Sequence, residues 1–235
     1  MKKLQLSILA VASLLSMQTL KAQTVDEVVN KNIEAMGGKE KLLSIKTIRF
    51  EGTMNAMGQD VGITITKSHL VGQRVDIAVM GITGYQINTP TQGWAYMPFG
   101  GQTTPEAWPD EQVKTGLAQL DLQGAFTNYK DKGTQLELRG KETVDGEECN
   151  KIKVTFKNGT VTTYFISTKT NYIVKTSGIR KKDGEEKEIA TTFSNYKPTT
   201  EGFIFAHTNG TANGEINFDK IEVNKPVDEK LFTAN

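Results

Sequence analysis

Few side chains in this sequence have the type and spacing that chemistry needs. Histidine, the residue best suited to moving protons near neutral pH, occurs only as His69 and His207. Neither stands in a His-x-x-His or Glu-x-x-His spacing that could gather a metal. Ser44, Ser68 and Ser167 have no base partner visible in sequence, and there is no Gly-x-Ser-x-Gly elbow and no Gly-rich phosphate loop. Glu147-Glu148 and Glu185-Glu186 could act as an acid and a base if buried. They adjoin Asp145-Gly146 and Asp183-Gly184, however, where charges are normally solvated. Cys149 is the one cysteine, so no internal disulfide can form. It reads as a small buried hydrophobe rather than a reactive thiol. These residues predict a protein that is not an enzyme and holds neither metal nor cofactor.

The apolar residues are more suggestive. Met54, Met57, Met80 and Met97 fall in one stretch, and Trp94, Tyr96, Phe99 and Trp108 cluster at its end. Methionine is flexible and polarizable, which suits a surface that must accept acyl chains of varied shape. Aromatic rings supply large apolar area at low conformational cost. The same residue types also fill cores. As a group, Met54, Met80, Trp94, Tyr96, Phe99, Trp108, Leu117 and Leu120 are the candidate lining and lid residues of an apolar cavity.

Such a group must be held by regular elements. Thr24 and Glu27 have capping-box spacing, and Val25, Val28, Val29, Ile33 and Met36 follow with a helical period. Gly37-Gly38 stops that helix, and Leu42, Leu43 and Ile45 suggest one further turn. From Thr47 the period becomes two: Ile48 and Phe50, then Val61, Ile63 and Ile65, then Val75, Ile77 and Val79. Alternation of this kind predicts antiparallel strands with one apolar face. Asp145-Gly146 and Asn158-Gly159 mark hairpin turns, because both central residues need φ > 0. Pro98 to Gln123 breaks the pattern. It predicts a flexible loop and then a fragile helix that starts at Pro109, with Val113, Leu117 and Leu120 on its apolar face. About eleven strands joined by short hairpins predict one domain. The fold class expected is mainly β, a large curved antiparallel sheet forming an unclosed barrel, with an N-terminal helix and a lid helix over its concave face.

Lys2 and Lys3, the apolar run Leu4–Met17 and the small residue Ala22 match a secretory signal peptide cleaved after residue 22. Gln23 would then be the first residue, where a lipid-anchored protein needs a Cys. The expectation is a single domain over residues 23–235, periplasmic, with no integral membrane segment after cleavage. A formal net charge of +1 over 235 residues leaves no basic footprint for nucleic acid.

Several segments resemble the LolA/LolB-like superfamily of exported bacterial proteins. They are the early run Ala35-Met36-Gly37-Gly38-Lys39-Glu40-Lys41-Leu42, the strand Gly93-Trp94-Ala95-Tyr96-Met97-Pro98, Asp145-Gly146-Glu147, and Tyr164-Phe165-Ile166. The most specific is the ending from Ile221 to Phe232, similar to the family's Val-Asn-x-x-Val-x-x-x-Leu-Phe close. The resemblance implies an unclosed barrel around helices and an apolar cavity for a lipid or the acyl chains of a lipoprotein. It also implies possible donor and acceptor proteins in the envelope, and a place in outer membrane biogenesis. Carriers of this family use an arginine on an early strand to help hold the lid. Arg74 is the nearest counterpart, although Lys67-Ser68-His69-Leu70 replaces the basic-Pro context before it. The alternative is an envelope interaction module with a filled core and no ligand.

Overall fold

The computed structural model describes residues 23–56, 58–182 and 185–234. The expected signal segment 1–22, Met57 and the Asp183-Gly184 turn lie outside the described residues.

Helix α1 (Val25–Ala35) begins with the reciprocal cap. The Thr24 hydroxyl accepts from the Glu27 N–H at 3.2 Å, and the Glu27 carboxylate accepts from the Thr24 N–H at 2.8 Å. Gly37, at φ 105°, turns the chain out of the helix. The short helix α2 (Lys39–Leu43) follows.

Thirteen strands then form one sheet. In chain order they are β1 (Thr47–Ala56), β2 (Gln59–Ser68), β3 (Gly72–Val79), β4 (Ile82–Asn88), β5 (Gly93–Tyr96) and β6 (Glu106–Ala107), and, after helix α3 (Asp110–Gly116) and a 3-10 turn (Leu117–Leu120), β7 (Gln135–Val144), β8 (Glu147–Thr155), β9 (Val161–Ser167), β10 (Ile173–Lys182), β11 (Glu185–Pro198), β12 (Ile204–Thr211) and β13 (Gly214–Val223). The chain walks outward from β1 to β6, crosses through α3 to β7 at the opposite edge, and walks back until β13 lies antiparallel beside β1. β6 and β7 are the two ends of the order, so the sheet is not closed into a barrel.

Strand alternation sorts the side chains onto two faces. One, called inner here, carries the helices. Val28 and Val29 of α1 pack on Ile152, Val154 and Ile166, while Leu42 of α2 packs with Ile45, Ile48, Phe218 and Val223. The outer face of β3–β5 is covered by the C-terminal segment, whose Phe232 packs with Tyr85 and Ile87. Gly72 makes that contact possible, since a Cβ there would lie 2.6 Å from the Phe232 ring.

Ile152 is fully buried beneath α1. Ile152→Ala is expected to cost about 2–5 kcal/mol, read as a lower urea midpoint with an unchanged m-value. Ile179→Ala, at a side chain 56% exposed, should stay within about 0.5 kcal/mol of wild type.

Candidate functional site

The segment after β5 is seated glycine by glycine on the inner face. Trp108 lies over Gly93, where a Cβ would come within 2.4 Å of the indole, and the Trp108 backbone N–H donates to the Gly93 carbonyl at 2.8 Å. α3 starts at Asp110, one residue after the expected start, with Pro109 (φ −60°) as its N-cap and Asp110 and Glu111 in the first turn. Gly116 brings α3 against Asn88; a Cβ at Gly116 would lie 2.4 Å from the Asn88 amide nitrogen. Further on, Gln73 Nε2 donates to Gln119 Oε1 at 3.2 Å, and the Leu70 N–H donates to the Leu120 carbonyl at 2.9 Å.

The end of this segment is pinned by charge and by His69. Leu122 N–H donates to His69 Nδ1 at 3.2 Å, and Asp121 pairs with Lys132 at 2.6 Å. Burial holds the His69 pKa below its ordinary value; the Asp121 carboxylate opposes this and the Lys132 ammonium adds to it. On the other wing, Asn158 in the β8–β9 turn donates to the Lys114 carbonyl at 2.9 Å. The segment from Trp108 to Leu122 therefore bridges both wings of the open sheet.

Alternation divides the sequence-predicted residues. Met54, half-buried on β1, shares the inner face with Val61 and Ile216. Trp108, Leu117 and the buried Leu120 belong to the bridging segment, and the Phe99 ring sits over Gly84 on the same side. Trp94 and Tyr96 do not join them. They alternate with Gly93, where Trp108 sits, so they face outward and pack with Tyr85, Ile87 and Phe232. Met80 is 83% exposed in the β3–β4 turn at φ 49°. Arg74 also faces outward, bonded to Asp76 at 2.7 Å and to the Leu231 carbonyl at 3.3 Å, with its guanidinium 4.2 Å from the Tyr85 ring centre. It fastens the C-terminal segment and makes no such contact with α3. Cys149 is buried, and burial raises its thiol pKa, as a structural cysteine requires.

Two rows on the inner face were not among the predicted cavity residues. The first runs Phe50–Ile65–Val75 across β1, β2 and β3, with Ile63–Ile77 beside it. Phe50, Ile65, Val75 and Ile77 are all half-buried; Phe50 and Ile65 pack at one side against the buried Ile45, Ile48 and Phe218. The second runs Ile48–Lys67–Gln73–Asn88 toward the pinned end. Among the described residues Lys67 has no ion pair or side-chain hydrogen bond, and burial alone brings its ammonium down to about 8. Its residue surface is nevertheless not fully lost. The side chains of Asn88 (both polar atoms) and Gln73 (Oε1) are buried without a hydrogen bond. One signal for this row was present in the sequence: Lys67 continues the apolar parity Val61, Ile63, Ile65.

A cleft of about 690 Å³ lies between α3 and the outer face of β8–β11. Its lining is charged, with Glu111, Lys114, Glu142, Lys151, Lys175 and Glu188, so it is not the apolar cavity expected from sequence. Lys151 is bonded to Glu142 at 2.7 Å, which neutralises part of it. No group of acidic, histidine and cysteine side chains able to hold a metal occurs among the described residues. No helix among them is long and apolar enough to cross a membrane.

An unclosed, mostly antiparallel sheet whose inner face is partly covered by helices defines a class: the architecture is that of the LolA-type fold. A domain described as an outer membrane lipoprotein-sorting protein, from Vibrio parahaemolyticus, aligns over 88% of this chain and 95% of its own, with a TM-score of 0.52 and 13% identity. A LolA superfamily protein from Nitrosomonas europaea aligns over 90% and 98%, with a TM-score of 0.53 and 13% identity. A DUF1329 family protein from Desulfovibrio piger aligns over the same shares, with a TM-score of 0.54 and 12% identity. No protein-family model matches the chain, and no curated protein matches it in sequence.

Two outcomes are expected from this geometry. Gly93→Ala forces the Trp108 indole off its seat and should lower stability by about 1–3 kcal/mol, and a second change, Trp108→Leu, should recover part of that in urea unfolding. The second concerns pH. Folding lowers the Lys67 pKa from 10.5 to about 8, so between these values the unfolded chain binds more protons. Stability of the ligand-free protein should therefore rise as pH increases from 8 to 10.5, by about 2 kcal/mol once the surface Lys67 keeps is allowed for. In Lys67→Met this rise should be absent, which parallel urea titrations at pH 8 and 10.5 would read.

Proposed function

We propose that this protein is an exported, periplasmic carrier that binds a lipid or the acyl chains of a lipoprotein and catalyses nothing. The observation that carries the reading is the row of half-buried apolar side chains, Phe50, Ile65, Val75 and Ile77. A filled core would bury them; a sheet made to receive a chain leaves them short of cover. Each methylene removed from water contributes about 0.8 kcal/mol, so a long acyl chain needs no further chemistry to bind there. The bridging segment offers a means of entry and release. Its α3 is only seven residues long, includes Gly116, and holds the far wing through the Asn158 bond. Met54, Phe99, Trp108, Leu117 and Leu120 are the sequence-predicted residues on the side that the chain would occupy. The shared fold supports this reading, since two of the similar structures are described as a lipoprotein-sorting domain and a LolA superfamily protein. Export through the segment 1–22 and cleavage after Ala22 belong to the same proposal, as do envelope donor and acceptor proteins.

Native mass spectrometry of the protein purified without detergent from its own host tests it. Added masses that organic extraction removes and identifies as acyl lipids are expected, and Val75→Asp should retain the fold while losing most of them. A single bare mass, with no uptake of added phospholipid or acylated peptide, would instead favour a filled interaction module.

A further inference from the structure

The polar row beside the apolar one touches the bridging segment through Gln73 and Asn88 yet leaves polar atoms without a bond. Lys67, Gln73 and Asn88 are cross-strand neighbours on three adjacent strands. Strands lie about 4.8 Å apart, so the three side chains can reach a single small group. Asn88 is 2% exposed, and neither its amide nitrogen nor its oxygen is hydrogen-bonded. Gln73 keeps one bond, to Gln119, and its buried Oε1 has none. Leaving a buried polar atom unmade costs about 1–3 kcal/mol, and burying a lone ammonium without an anion costs more. An arrangement of this kind persists where a ligand completes it.

The missing ligand's chemistry follows from what the row offers. Lys67 supplies a cation with no carboxylate beside it. Its ammonium, although desolvated, is about nine-tenths protonated at pH 7, one unit below its value of about 8. The Asn88 amide adds N–H donors and a carbonyl acceptor, and Gln73 adds an acceptor. Cation and amide donors together fit a small oxyanion, and the acceptors fit a hydroxyl or acid proton next to it. The adjoining row, Phe50–Ile65–Val75, is apolar and lies one same-face position from Lys67 on β2 and from Gln73 on β3.

We propose that Lys67, Gln73 and Asn88 form a head-group subsite for an amphiphile with an anionic head, carboxylate or phosphate, whose chain lies along Phe50, Ile65 and Val75. This rests on the carrier reading and goes further. It selects a lipid with a charged head over a chain whose head is neutral or zwitterionic. The pinned end of the bridging segment then closes over the head, while the chain extends toward the β3–β4 turn.

Matched fluorescent probes test it on delipidated protein. Cis-parinaric acid is titrated against its methyl ester, and a parinaroyl phosphatidic acid against the phosphatidylcholine of the same chains. At least a tenfold preference for the anionic member of one pair is expected in wild type. Lys67→Met should reduce that preference to threefold or less while the neutral member still binds. Asn88→Leu should lower the affinity for the anionic member several-fold with the neutral member unaffected, which keeps the test open if one variant fails to fold. A preference within the first pair assigns a free fatty acid; one confined to the second assigns an anionic phospholipid. Equal binding of both members in both pairs would overturn the subsite and leave the carrier reading standing. Binding of no probe at all would overturn both.

Discussion

The pairing of the first strand with the last is the constraint on which the rest depends. From Ile48↔Val223 to Met54↔Ile216, β1 and β13 join two wings that are otherwise each a meander of local hairpins. Without it the six-strand and seven-strand halves would each expose an unpaired edge, a template for aggregation. The join is also where the sheet bends. A bulge lies between Glu51 and Gly52, and a Cβ at Gly52 would sit 2.1 Å from the Asn217 carbonyl oxygen. Only glycine permits that approach. With the wings fixed at one seam and free at the other, a segment of chain must span the opening, and the crossover through α3 does so.

The covering of the inner face is consequently divided. α1 takes the wing of β7–β9, α2 packs on Ile48, Phe218 and Val223 at the seam, and the bridging segment takes β4 and β5, with Phe50, Ile65, Val75 and Ile77 half-buried on β1–β3. The outer face shows the contrast. There, on β3–β5, the C-terminal segment closes over Tyr85 and Ile87, and Arg74 fastens it. Lys67, Gln73 and Asn88 extend the incompletely covered surface with polar atoms that have no partner, at the end pinned by His69 and Asp121.

Much of this is written in residue patterns, and the rest is lost for a physical reason. Thr24 and Glu27 announce the helix start, Asp145-Gly146 announces a hairpin, and period-two runs such as Val61, Ile63, Ile65 announce strands; all stand where expected. Thirteen strands stand among the described residues where about eleven were expected; β6, only two residues long, escapes any periodic reading. Alternation tells which residues share a face but not which face meets the helices. That ambiguity hides the orientation of Trp94 and Tyr96, because β5 is covered on both sides, by Trp108 and by the C-terminal segment. Arg74 is offered for the lid by the resemblance alone, and its strand parity places it beside Leu231. Lys67 was legible as a lysine on the apolar parity of its strand, but only the register to Gln73 and Asn88 gives it meaning.

Photo-crosslinking with a fatty acid that carries a diazirine on its chain tests the central claim most directly, because it reports which face the chain touches. Peptide mapping of the adducts should find them on β1–β3, at or beside Phe50, Ile65 and Val75, and competition by an unlabelled anionic lipid should remove them. Adducts confined to the outer cluster around Trp94 and Tyr96, or no specific adduct at all, would contradict the account.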